Sequence, residues 1–185
     1  VDERNDPLRA TEAATQLLRI NYDTLGNWPL AVTAYNHGRS SLLRAKNRLG
    51  TDSLEEIILR NRVRGFGFAS SNFYACLVAA LEVERNPEKY FGVPVDRLRP
   101  HRFYEVELPA PIRMKDLLQF MRLKRDAVLE LNPGLTELAL ASKVKIPKGY
   151  RLRLPNTGSG TDENLASATR IFLAGFAKIP KLYKY

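Results

Sequence analysis

Apolar residues recur at helical spacing through the first 92 residues. Asp6 is a suitable N-cap for a first helix, which the apolar positions continue to Gly26. Residues 28–38 predict a second helix, short and mostly buried, with Pro29 near its start and Gly38 as a left-handed C-cap. Because only one residue separates these segments, we expect a tight pair of helices.

Three more helices are predicted in the same region, at residues 39–49, 53–60 and 72–85. Ser70 or Ser71 can cap the last and longest of them. Nearly every position from 73 to 83 is apolar, and the single cysteine of the chain, Cys76, lies in this run. A helix that is apolar almost all round is normally buried on most sides. We therefore expect residues 72–85 at the centre of a first domain, with Cys76 as a small buried hydrophobic residue.

The pattern changes after this domain. Residues 93–101 contain two prolines and no periodicity, which indicates a linker. Apolar and polar residues alternate at 102–108 and 150–154, and helical spacing occurs between them at 115–121 and 124–131. This order of strand, helix, helix and strand predicts a compact α+β module. Beyond residue 156 we expect a flexible segment and a C-terminal helix at 161–177.

Composition limits the size and class of the protein. The chain has 185 residues, of which 44% are hydrophobic, so it can bury one sizeable core or two small ones. It contains no run of apolar residues long enough to span a membrane, and we expect a soluble globular chain. The first residue is not Met and no leader sequence follows, which leads us to expect a processed product or a piece of a longer protein.

The net charge of +9 is concentrated in the second half. Residues 1–92 hold 12 Lys and Arg against 11 Asp and Glu, whereas residues 93–185 hold 17 against 9. Such a positive surface suits nucleic acid, anionic lipid headgroups or an acidic polymer such as a carboxylate-bearing cell-wall glycan. A solvated surface without a polyanionic partner is an equally open interpretation.

The end of the second predicted helix carries candidate chemistry. Tyr35, Asn36 and His37 place three hydrogen-bonding side chains in the last turn of an otherwise apolar segment. Such a group either caps the helix or lines a cleft. In the simpler interpretation Asn36 bonds local carbonyl groups and Tyr35 packs in the core with its hydroxyl at the surface.

Several short motifs then occur in a specific order and spacing: Val-Asp-Glu-Arg at 1–4, Ala-Thr-Glu-Ala-Ala at 10–14, Trp-Pro-Leu-Ala at 28–31, Ala-Tyr-Asn at 34–36, Phe-Gly-Phe-Ala-Ser at 66–70 and Asn-Phe-Tyr at 72–74. Through them, residues 1–92 resemble the second half of the catalytic domain of the soluble lytic transglycosylase superfamily. Within it they are most similar to the membrane-bound lytic murein transglycosylase D group.

A second resemblance concerns residues 102–156. Leu-Asn-Pro-Gly-Leu at 131–135, Ile-Pro at 146–147 and Leu-Arg-Leu-Pro at 152–155 resemble a degenerate LysM repeat. This resemblance implies binding of a glycan that contains N-acetylglucosamine, with Asn132 as a candidate contact. The alternative is that residues 132–134 are only a turn that stops a helix.

The transglycosylase resemblance implies a lysozyme-like helical fold and cleavage of the bond between N-acetylmuramic acid and N-acetylglucosamine in peptidoglycan. In this family one glutamic acid acts as acid and then as base, and the muramoyl 6-hydroxyl attacks in place of water, leaving a 1,6-anhydro end. It implies neither a cofactor nor a metal ion. The implied location is the bacterial cell envelope, in the periplasm or at the outer membrane.

The chain departs from the family pattern at the acid. The catalytic glutamate and the serine after it precede the Val-Asp-Glu-Arg motif in the family, and no glutamate of this chain has that context. We therefore expect an inactive C-terminal piece that keeps part of the substrate cleft. Tyr35 and Asn36 match the cleft motif, and Phe73 and Tyr74 fall near a further family tyrosine. His37 is expected to be a cap rather than a base.

The expected fold class is mainly α, with half of a lysozyme-like domain (1–92), a linker (93–101), a LysM-like βααβ module (102–156) and a C-terminal segment with a helix (157–185). Its expected partners are peptidoglycan strands and the missing N-terminal part of the same protein. A non-catalytic peptidoglycan-binding protein is the first alternative function. A nucleic-acid-binding protein is a weak third one, because neither a helix-turn-helix nor an aromatic stacking platform supports it.

Overall fold

The computed structural model of the chain describes residues 1–61, 65–121 and 123–156. They divide into two units, one of Thr11–Leu98 and one that joins Val1–Ala10 to the described residues from Arg99 on. The chain is mainly helical with a small two-stranded sheet, as predicted. The predicted helix at 161–177 lies outside the described residues, and the predicted domain borders stay a prediction.

The first unit is built from helices α1 (Pro7–Leu25, which begins in the other unit), α2 (Trp28–His37), α3 (Arg39–Leu49), α4 (Leu54–Arg60), α5 (Phe68–Arg85) and α6 (Pro87–Phe91). The predicted positions of α1 to α4 are confirmed. Helix α5 begins four residues earlier than predicted, and the short helix α6 was not predicted. None of the described helices is both long enough and apolar enough to cross a bilayer.

Local capping explains where these helices begin and end. The Asp6 carboxylate accepts from the backbone N–H groups of Leu8 (3.0 Å) and Arg9 (3.2 Å), which confirms its role as the cap of α1. Asn27 caps α2 in the same way. Gly38 ends α2 at φ 95° and ψ 128°, a positive φ that favours glycine but not the left-handed helical conformation that was predicted.

The core of this unit is centred on α2, whose residues 30–34 are all buried. Helix α2 packs against α3 and α5. The buried apolar side chains come from α1 to α4 and from the segment before α5: Leu25, Leu30, Ala34, Leu42, Ala45, Ile57 and Phe66. Burial of a side chain such as Leu contributes about 1.5–3 kcal/mol, so this cluster holds α2 firmly in place.

Helix α5 corrects one prediction. Only Ser70 of its residues is buried, and residues 75–81 are all exposed, Cys76 included. The expectation that α5 is the buried centre of the domain, with Cys76 in the core, is therefore wrong. Ser70 and Ser71 also lie inside α5 rather than at its cap, which is Gly67. An apolar composition indicates which residues avoid water, but burial also needs a facing element, and the described residues leave this part of α5 exposed.

The other unit contains β1 (Phe103–Glu107), α7 (Met114–Met121), α8 (Arg125–Leu131), α9 (Glu137–Leu140) and β2 (Arg151–Pro155). The two strands are antiparallel, with Glu105 opposite Arg153. The predicted order of strand, helix, helix and strand is confirmed, with the short α9 as an addition. Two strands alone are marginally stable, and here a core that includes Leu117, Val128 and Leu152 supports them.

A buried ionic group joins Val1–Ala10 to the strands of this unit. Arg153 donates from Nη1 to both carboxylate oxygens of Asp6, at 3.0 and 2.8 Å, and both side chains are only 4% exposed. Arg153 Nε also donates to Glu105 (3.3 Å), which is paired with Arg9 as well. Burial and the Asp6 charge raise the pKa of the nearby Tyr150 to about 12. The unit thus contains a buried arginine whose charge is balanced by the carboxylates of Asp6 and Glu105.

Candidate functional site

The last turn of α2 presents the predicted cleft residues at the surface. Tyr35 is 45% exposed, Asn36 is exposed and His37 is half-buried. The preceding residues 30–34 are buried, because α2 crosses the core before it reaches this surface. The buried part of the helix therefore fixes the position of the exposed part.

Two of the predicted residues form an aromatic pair. The ring of Tyr35 stacks on that of Phe73 in α5, with centroids 6.3 Å apart and an angle of 13° between the ring planes. Tyr74 lies elsewhere and lines a different groove, of about 520 Å³, with Asn27 and Leu54. The structure thus brings Tyr35, Asn36 and Phe73 together and separates Tyr74 from them.

A chain of hydrogen bonds fixes Asn36. The Ser70 hydroxyl donates to Asn36 Oδ1 at 3.1 Å and lies 3.2 Å from His37 Nδ1. Because a hydroxyl has one hydrogen, Ser70 must accept at His37, which places the imidazole proton on Nδ1. His37 Nε2 then accepts from the Ser41 hydroxyl at 2.9 Å. The Asn36 oxygen is therefore occupied, and no described residue bonds its Nδ2 group.

His37 is a bridge between elements rather than the predicted helix cap. Its ring lies edge-on to Phe66, with centroids 4.8 Å apart, and burial lowers its pKa below the ordinary 6.5. The neutral imidazole matches the hydrogen-bond chain, since one nitrogen donates and the other accepts. The cap of α2 is instead the backbone N–H of Gly38, which donates to the carbonyl of Ala34.

A groove of about 480 Å³ opens next to Tyr35. It runs between the middle of α1, the end of α2 and the first turns of α3. No acidic side chain lines it, and its lining consists of Leu17, Asn21, Ala34, Tyr35, Gly38, Arg39, Ser40, Ser41 and Arg44. The groove therefore joins an exposed aromatic ring to cationic and hydroxyl groups.

Asn132, the candidate contact of the second unit, is 1% exposed. Its Nδ2 donates to the carbonyls of Val128 and Arg153, both at 2.7 Å, and its Oδ1 accepts from the Arg153 N–H at 2.8 Å. The Tyr150 hydroxyl donates to the same oxygen at 3.4 Å. Glycan binding by Asn132 stays a prediction that this geometry does not support, because its amide already ties α8 to β2.

Residues 1–58 match the family model of the transglycosylase SLT domain. No curated protein matches the chain. The match supports the lytic transglycosylase superfamily and a function related to peptidoglycan, on which the proteins of this family act in the cell envelope. It includes Tyr35, Asn36 and the whole 480 Å³ groove.

Four residues of this surface were missed from the sequence. Ser70 was interpreted as a helix cap, although its hydroxyl bonds Asn36, 34 residues earlier. Ser41 follows His37 by four residues, a spacing that is typical of contact within one helix. The contact was not predicted because the two residues were assigned to separate helices on either side of Gly38. Arg39 and Arg44 were predicted only as part of the helix at residues 39–49, not as site residues.

Proposed function

We propose that the chain is part of a peptidoglycan lytic transglycosylase of the membrane-bound D group and that it supplies one wall of the glycan cleft. The stacked Tyr35–Phe73 pair beside the fixed amide of Asn36 carries this proposal. An aromatic face packs on a pyranose ring, and an amide with its oxygen occupied offers its N–H groups to hydroxyl or acetamido oxygens. The family match over residues 1–58 supports the same assignment.

The proposed reaction of the whole enzyme is cleavage between N-acetylmuramic acid and N-acetylglucosamine, with a 1,6-anhydro end as product. It needs one protonated carboxyl group beside the glycosidic oxygen. None of the residues that line the groove beside Tyr35 is acidic, which supports the proposal that another part of the protein supplies the acid. The chain by itself is then a binding surface rather than a catalyst.

Helix α5 supports the proposal that this surface belongs to a larger, lysozyme-like domain. Its exposed stretch contains Leu77, Val78 and Leu81, three large apolar residues on one short segment. Each apolar Å² that is covered gains about 25 cal/mol, so a covering element would be stabilising. The remainder of a catalytic domain would provide such an element.

For the second unit we infer a LysM-like module that acts with the cleft on peptidoglycan in the periplasm. The order of strand, helix, helix and strand and the antiparallel pairing of β1 with β2 support it. In this proposal the glycan contacts are made by exposed groups, since Asn132 is buried.

Sedimentation with insoluble peptidoglycan tests the proposed function. We expect the purified chain to be retained in the pellet and to release no anhydromuropeptides. Tyr35→Ala should weaken retention several-fold, whereas Tyr90→Ala, which removes an equally exposed tyrosine from α6, should not. The proposal would be contradicted if Tyr35→Ala were retained as well as the unsubstituted chain, or if the chain alone released anhydromuropeptides.

A further inference from the structure

The groove beside Tyr35 is lined by two arginines of helix α3. Helix α3 carries four basic residues and no acidic one. Lys46 of this helix is paired with Asp52 at 2.6 Å, but within residues 1–61, 65–121 and 123–156 neither Arg39 nor Arg44 has a carboxylate partner. Both line the groove. An anion that enters the groove would therefore meet two guanidinium groups that no described carboxylate neutralises.

A buried amide positions one of these arginines. Asn21 of α1 is 1% exposed, and its Nδ2 donates to the carbonyl of Ala31 at 3.2 Å. Its Oδ1 accepts from Arg39 Nη1 at 3.4 Å, so the guanidinium is held against the wall of the groove. An arginine that is held in this way loses less conformational entropy when it binds a ligand.

The backbone around Arg39 also favours an anion. Helix α3 begins at this residue, and its N-cap is Gly38, which has no side chain to bond the first N–H groups. The N-terminal end of an eleven-residue helix carries a partial positive charge that adds to that of the arginines. Ser40 adds a hydroxyl donor, whereas the hydrogen of Ser41 is already used at His37.

We propose that this groove is a carboxylate-binding subsite in which Arg39 and Arg44 bind the acidic substituent of an N-acetylmuramic acid residue whose neighbouring sugar ring lies on Tyr35. This inference rests on the proposed function. Guanidinium groups match a carboxylate with paired N–H donors, which makes arginine the suitable residue for such a site. The carboxylate belongs either to the lactyl group of the sugar or to the stem peptide attached to it. Glycans of N-acetylglucosamine alone contain neither.

Three soluble probes separate these possibilities in calorimetric titrations of the full chain. One is chitotetraose, which is uncharged. The second is a peptidoglycan tetrasaccharide without peptides, which exposes the lactyl carboxylates, and the third is the same tetrasaccharide with stem peptides. We expect the chain to bind one or both acidic probes at least about tenfold more tightly than chitotetraose. We also expect added salt to weaken the binding of the acidic probes but not that of chitotetraose.

Substitutions then test the two arginines. We expect Arg39→Gln with Arg44→Gln to remove the preference for the acidic probes and to leave the affinity for chitotetraose unchanged. The matched control, Arg19→Gln with Arg85→Gln, removes the same charge from residues outside the groove and should keep the preference. Arg44→Gln alone, at an exposed position, provides a second variant if the double variant folds poorly. Circular dichroism melting checks that the folds are equal.

The outcomes are distinguishable. Binding of chitotetraose that depends on Tyr35, without any preference for the acidic probes, overturns the subsite but leaves the proposed function intact. An equal loss in the arginine pair and in the control pair overturns it too, because it indicates general charge attraction. Failure of the chain to bind any of the three probes overturns both the subsite and the proposed function.

Discussion

Helices α2 and α5 pack against each other in one unit and are both largely apolar, but water reaches them very differently. In α2 the residues 30–34 are buried in sequence, and only the ends are exposed. In α5 only Ser70 is buried, and the apolar residues 75–81 face solvent. The shorter helix therefore runs through the core and fixes Tyr35 and Asn36, whereas the longer one contributes Phe73 and Ser70 from its first turns.

This difference shows that apolar composition and burial are separate properties. A helix becomes part of a core only where another element faces it, and α2 has such neighbours on α1, α3 and α5. The exposed side of α5 is instead a surface at which further structure would be stabilised. The contrast between the two helices can be tested by substitutions at matched positions.

The largest expected difference is between buried and exposed leucines. Leu30→Ala in α2, at a side chain with 0% exposure, should lower the free energy of unfolding by about 2–5 kcal/mol, because it leaves a cavity. Leu81→Ala in α5, at 44% exposure, should cost less than about 1 kcal/mol. Urea unfolding followed by the fluorescence of Trp28, the only tryptophan, measures both. Equal costs would show that α5 is as buried as α2.

The second comparison concerns the end of α2 and the start of α5. Gly38→Ala should cost about 1–3 kcal/mol, because residues with a Cβ rarely adopt the φ of 95° found at Gly38. A Cβ there would meet no atom within 4 Å, so the cost comes from the backbone alone. Gly67→Ala, before α5, has φ −96° and equally open surroundings, and should be nearly neutral. The same unfolding assay applies. If Gly38→Ala left the stability unchanged, the positive φ at the junction between α2 and α3 would be contradicted.

The third comparison concerns adjacent serines at the contact between the helices. Ser70→Ala removes the donor to Asn36 and should cost about 1–2 kcal/mol of stability together with part of the peptidoglycan retention. Ser71→Ala removes an exposed hydrogen bond to the carbonyl of Gly67. It should change stability by no more than about 0.5 kcal/mol and leave peptidoglycan retention unchanged. Retention that survives Ser70→Ala unchanged would show that the fixed amide of Asn36 is not needed for binding.

The smallest effect is expected from pH. Burial lowers the pKa of His37, so the unfolded chain binds a proton at a higher pH than the folded one. The stability that neutral His37 contributes should be fully present above the ordinary pKa of 6.5, and it should be lost as the pH falls through the lower pKa of the folded chain. His37→Gln should reduce this dependence, and the control His101→Gln, at the other histidine, should keep it. If the pH dependence of stability were unchanged in His37→Gln, His37 would not be its source.

The sequence predicted what depends on neighbouring residues. Asp6 as the cap of α1, Ser53 as the cap of α4 and the end of α2 before Gly38 all follow from side chains and backbones within a few positions. Tyr35 and Asn36 were found through a short contiguous motif. The αβ order of the second unit followed from its alternating pattern in the same way.

What the sequence did not predict depends on distant residues. Ser70 has its partner 34 positions earlier, and Arg39 is held by Asn21, 18 positions earlier. The exposure of Cys76 follows from the lack of a facing element among the described residues, which no local pattern can express. The burial of Asn132 depends likewise on the backbone of Arg153, 21 positions later.

The pair of Asp6 with Arg153 limits how this protein can be divided. One carboxylate caps α1 and also neutralises a guanidinium 147 positions away. If the strands were transplanted as a separate cassette from residue 99 onward, Arg153 would lose its buried partner Asp6 and keep only the partly exposed Glu105, which would destabilise the cassette. The first ten residues are thus as much a part of the second module as its own strands, and a working excision would have to carry them along.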